Sequence, residues 1–122
     1  MNAPMTSNQP WWLTMPPAEL AAVILPLFPS PRQAESWVTA SIVNWFKTGE
    51  YCVHRFPRQD DPDCVVIEEA IQVLEHALLV IRHLTGGEHA SYEIGLTRLG
   101  VHAVQTNTVR QHLGLSDAPP TA

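Results

Sequence analysis

The stretch Cys64–Thr97, CVVIEEAIQVLEHALLVIRHLTGGEHASYEIGLT, constrains the fold more than any other part of this chain. Ile67, Ala70, Ile71, Leu74 and Leu78 recur at i, i+3, i+4, i+7 and i+11, so one stripe of a helix is apolar and has to find a core. Leu79–Leu84 then turns aliphatic and β-branched. Thr85-Gly86-Gly87-Glu88 supplies a turn, and Tyr92, Ile94 and Leu96 alternate with polar or small residues as half-buried strands do. The predicted order is helix, strand, Gly-rich tip, strand.

A chain of 122 residues makes one domain, with enough volume to bury a core without disulfide or metal staples. Hydrophobic residues are 45% and charged residues only 16%, which separates the chain from disordered sequences. Residues 11–115 are read as the domain, and 1–10 and 116–122 as disordered tails. No basic segment followed by an apolar one opens the chain, and Leu20–Phe28 is far short of the roughly 20 residues that span a bilayer. With two cysteines, a cytoplasmic protein without membrane partners is expected.

In chain order, Trp11-Trp12 reads as an aromatic anchor on the core or a partner, because each indole can bury on the order of 200 Å². Pro16-Pro17 opens a short buried helix that Pro26 and Pro29 stop. Ser30-Pro31-Arg32-Gln33 reads as the start of a second helix reaching Lys47, with Ala34, Trp37, Val38, Ser41, Ile42, Trp45 and Phe46 on its inner face and Gly49 beyond its end. Tyr51–Phe56 is expected as a short edge strand. Asp61 reads as the N-cap of the central helix, Pro62 to Leu78. Thr97 caps a last helix to about Leu113, and Thr106-Asn107-Thr108 predicts a bend or break within it.

The segment Leu74-Glu75-x-Ala77-x-Leu79-Val80-x-Arg82, then Gly86-Gly87, then Tyr92-x-Ile94-Gly95-Leu96-Thr97-x-Leu99-Gly100, resembles bacterial winged-helix regulators over about residues 64–100. The resemblance implies a mostly α chain with a small β-hairpin, an α+β fold of about four helices and a two- or three-stranded antiparallel sheet. It implies a transcriptional regulator contacting double-stranded DNA through Gln72, His76, Arg82, His83 and His89. It further implies a homodimer paired through Trp11–Phe28 and Arg98–Leu113.

The charges oppose that use. Net charge is −5, and Gln59–Ile81 holds no Lys or Arg while Asp60, Asp61, Asp63, Glu68, Glu69 and Glu75 make up half of the twelve acidic residues. Phosphate contacts by Lys and Arg supply most non-specific DNA affinity, so an acidic reading helix repels its ligand. The stretch between the second and central helices, Thr48 to Asp61, is also longer than the turn of about 3–4 residues in a helix-turn-helix. The alternative is a winged-helix-like module that binds another protein through Trp11, Trp12, Glu68, Glu69 and Glu75.

Other chemistry has weaker support. Cys52-x-His54 with Cys64 and His76 offers four zinc donors, but zinc favours paired ligands such as Cys-x₂₋₄-Cys, so neither metal nor cofactor is expected. No nucleophile elbow, phosphate-cradling glycine loop or His-Glu-x-x-His run occurs, so no catalytic residue is assigned and no enzyme is expected.

Overall fold

A computed structural model describes residues 10–86 and 91–116; both expected tails, apart from Pro10 and Ser116, and part of the wing tip lie outside the described residues. The helices are α1 (Pro17–Ile24), α2 (Glu35–Thr48), α3 (Pro62–His76), α4 (Arg98–Thr106) and α5 (Val109–His112). The strands are β1 (Gln33–Ala34), β2 (Val80–Leu84) and β3 (Tyr92–Leu96), in the antiparallel order β1-β3-β2. This is an α+β, winged-helix-like arrangement, helix-strand-helix-helix-strand-strand. Among the described residues no helix is long and apolar enough to cross a membrane.

The core follows the stripe read in α3. Cys64, Ile67, Ala70, Ile71 and Leu74 are buried, and α1 and α2 pack on that face. Leu20, Ile24, Leu25, Val38, Ile42, Leu79 and Ile94 complete it, each fully buried. α2 stops where its sequence says it should, at Gly49 with φ 86, a left-handed position that favours glycine. Thr97 caps α4, its Oγ1 accepting from Gly100 N–H at 2.9 Å. The last helix breaks at Asn107, φ 58, as the poor helix formers there predicted. Beyond the break, Arg110 holds α5 to α1 by donating to both carboxylate oxygens of Glu19, at 2.6 and 3.2 Å.

Three expectations need correction. The third strand is Gln33–Ala34, where a helix start was read; it pairs Gln33 with Ile94 and Ala34 with Glu93, so α2 begins at Glu35 without a side-chain cap. Tyr51–Phe56 is not a strand: the segment folds into bends, and the third strand of the sheet is β1. Trp37 is 46% exposed rather than inward, because the buried run of α2 begins only at Val38 and extends to Val43.

A fourth correction fixes the corner after α3. Leu78, the last residue of the predicted stripe, is 68% exposed at φ 63. The helix ends two residues earlier, and Leu79 rather than Leu78 turns into the core.

Candidate interaction surface on α3

The periodicity that buries one stripe of α3 exposes another: Val65, Glu68, Glu69, Gln72 and His76. A shallow groove lined by Val65, Glu68, Glu69, Gln72 and Arg82 lies along it. The structure therefore brings Gln72 and Arg82 together with Glu68 and Glu69. His76 joins Gln72 and Glu75 in a neighbouring depression. His83 is exposed one residue after Arg82 on β2, where alternation turns it to the other face of the sheet. His89 lies outside the described residues.

Among the described residues Arg82 is the only Lys or Arg lining this surface, and it is already engaged. Its Nη2 is 3.2 Å from Glu35 Oε2 and its Nε 3.4 Å from Glu75 Oε2. The guanidinium also lies 5.6 Å from the centre of the Tyr92 ring, a cation–π distance. Burial pushes the Glu35 carboxyl up from its ordinary range, Arg82 opposes that shift, and Glu68 and Glu75 reinforce it. One guanidinium thus serves as counter-ion inside an acidic cluster. Diverting it to a phosphate leaves partly buried carboxylates without compensation.

The N-terminal end of α3 is closed by the first residues of the described chain. Trp12 is buried, stacks on Phe46 with centroids 5.1 Å apart, and donates its Nε1–H to Asp63 Oδ1 at 3.0 Å. Lys47, the only lysine, is 3.0 Å from Asp63 Oδ2. Trp11 packs edge-on against Trp12 and Phe46 yet stays 52% exposed. Of the partner-contact candidates, Trp11, Glu68 and Glu69 face solvent. Trp12 packs into the core and bonds to Asp63, 51 residues on, and Glu75 is paired with Arg82 on the strand that follows α3.

Of the other basic residues, Lys47 and Arg55 line a depression beside the α2–α3 connector together with His54 and Asp61. Arg58 pairs with Asp60 and Arg110 with Glu19. Arg32 precedes β1, Arg55 is in the α2–α3 connector and Arg98 opens α4.

Cys64 lines a cavity of about 130 Å³ with Glu35, Ser36, Thr39, Pro57, Gln59 and Glu68. Burial, aided by the charges of Glu68, Asp61 and Asp63 and opposed by Lys47, pushes its thiol up to about 11. It stays protonated at neutral pH, whereas a nucleophilic cysteine needs its thiolate. The four-residue zinc set does not assemble: neither Cys64 nor His76 groups with Cys52 and His54.

The Arg82–Glu35 pair has no signal in the sequence, since its members are far apart and only the β1-β3-β2 order brings them close. The Trp12–Asp63 bond is equally long-range, although the paired indoles did mark an anchor. No family model, curated protein or solved structure matches the chain.

Proposed function

We propose that this chain is a non-enzymatic, winged-helix-like interaction module whose exposed α3 face binds another protein. One observation carries this reading: Glu68 and Glu69 are exposed, and the one Lys or Arg beside them among the described residues, Arg82, is held by Glu35 and Glu75. A surface of that sign attracts a basic partner and repels a phosphate backbone. Gln72, His76 and Val65 add hydrogen-bonding and apolar contact on the same face. Reversing charge with Glu68→Lys and Glu69→Lys is expected to abolish capture of a Lys/Arg-rich partner while thermal stability stays within about 0.5 kcal/mol. Undiminished capture sinks the reading.

The second reading, a DNA-binding transcriptional regulator, is favoured by the element order and by the wing built from β2 and β3. Fold alone is a weak warrant for function. Electrophoretic mobility with random duplex DNA at about 50 mM salt, where phosphate contacts are strongest, separates the two. The protein-binding reading expects no shift, and a shift sensitive to Arg82→Ala supports the regulator.

Pairing of two copies belongs to either reading. α1 and α4–α5 flank a groove of about 490 Å³ whose lining mixes Ala22, Val23, Pro26, Val104 and Val109 with Asn107, Arg110 and Gln111, a surface open to a second copy. Light scattering that returns a dimer mass supports pairing.

A further inference from the structure

The connector between α2 and α3 holds a gathering of metal-donor side chains independent of the α3 surface. The ligand atoms of Glu50, Cys52 and His54 all lie within 4.8 Å of one another. Cys52 Sγ is 3.6 Å from His54 Nε2, and the same nitrogen is 3.9 Å from Glu50 Oε1. A tight turn, closed by Cys52 N–H donating to the Glu50 carbonyl at 3.1 Å, folds the segment so that the donors converge. Tyr51 packs against the core beneath them. Asn44, on α2, donates its amide to the Glu50 carbonyl at 2.8 Å and to Cys52 Sγ at 3.3 Å. The sulfur is therefore positioned from a helix, as a pre-organised ligand should be.

We propose that Glu50, Cys52 and His54 form a three-ligand site for a divalent cation of the zinc class. Geometry agrees. Sulfur and nitrogen sharing a tetrahedral zinc stand about 3.6 Å apart at ordinary bond lengths, and nitrogen and carboxylate oxygen about 3.4 Å. The first separation is already met. The second closes by roughly 0.5 Å through rotation of Glu50, whose side chain is 73% exposed. Charge agrees as well: a thiolate, a carboxylate and a neutral imidazole carry two negative charges, which a dication cancels. A mixed sulfur, nitrogen and oxygen set selects a borderline-soft ion over magnesium or calcium, which take oxygen shells. Three protein ligands leave a fourth position for water or for a donor from a bound partner. Glu50 is the ligand that the sequence did not single out, because Cys64 and His76 looked equally available.

The test uses the full chain without a polyhistidine tag. Titration with Co²⁺ is expected to give one equivalent bound per chain, with a thiolate-to-cobalt charge-transfer band in the near ultraviolet. Zn²⁺, followed by competition with a chromogenic chelator, is expected to displace it. Cys52→Ser removes the band, and Cys64→Ala keeps it. His54→Ala and Glu50→Gln each weaken zinc binding by at least the roughly 10- to 100-fold that losing even a supporting group costs. Zinc raises the thermal midpoint of the unaltered chain and leaves that of Cys52→Ser unchanged, as expected for an ion bound only by the folded state. Absence of a stoichiometric complex overturns the proposal. So does a band that survives Cys52→Ser, or one lost in a Cys64→Ala variant whose circular dichroism is native.

Discussion

α3 is entered and left by joints of opposite construction. The exit corner, Ala77–Leu79, is short and over-determined. Leu78 is held left-handed, its carbonyl accepts from Thr97 Oγ1 at 2.7 Å, and the Leu79 carbonyl accepts from Thr97 N–H at 3.1 Å. Gly100 lies against that carbonyl so closely that a Cβ would overlap it. The entry connector, residues 49–61, has no helix or strand. Its backbone bonds are local, such as Asp61 N–H to the Arg58 carbonyl at 3.0 Å, and Phe56 at its middle is 58% exposed. The difference separates two tasks. The corner fixes the wing against α3, while the connector leaves α3 free of the tight helix-turn-helix geometry and carries ligating side chains on an open surface.

The largest expected effect lies in the corner. Gly100→Ala destabilises by about 4 kcal/mol or more in urea unfolding, because backbone has to move to admit one methyl group. A cost under about 1 kcal/mol would mean that the corner yields and the contrast fails. The adjacent leucines then respond with opposite signs. Leu79→Ala costs about 3 kcal/mol through a core cavity. Leu78→Gly stabilises by about 0.5–1 kcal/mol, since it relieves a left-handed side chain that buries little. Thr97→Val removes the α4 cap and the tie to Leu78 and costs roughly 1–2 kcal/mol by the same measurement.

Smaller effects sharpen the picture. Glu35 has its carboxyl raised above the ordinary 4.5, chiefly by burial. A raised acid favours the folded state when protonated, so its contribution is fully present below 4.5 and is lost as pH rises through the folded value. Relative to Glu35→Gln, the unaltered chain therefore gains stability on acidification from neutral pH, read from paired urea titrations. A gap that is flat with pH sinks this account of Glu35. In the connector, Phe56→Ser stays within about 0.5 kcal/mol. A cost above 2 kcal/mol would show the connector to be packed and erase the comparison.

The sequence was most legible where structure is local. The α3 stripe, Gly49 at the end of α2, the Thr97 cap and the break at Asn107 all follow from spacing and backbone preference within a few residues. What stayed hidden is long-range. β1 has two residues, too few to alternate, and exists because β3 offers it an edge. Leu78 satisfied the helical spacing, yet the corner bonds to Thr97, 19 residues on, stop the helix first. In the candidate surface, Glu68, Glu69 and Gln72 were legible by periodicity, whereas the ion pairs that occupy Arg82 and Glu75 and the bond that occupies Trp12 required the fold.

The strand order has one more effect. With β1 and β3 on one side, β2 is left as an open edge bearing the exposed Ile81 and Leu84, the kind of border that invites a foreign strand. Arg82, in the middle of that edge, points inward and is moored by carboxylates on two helices. An inward-pointing charge in the middle of an edge strand is one of the devices that discourage pairing with another chain. The guanidinium that neutralises the acidic cluster thus also guards the chain against assembling with itself strand to strand.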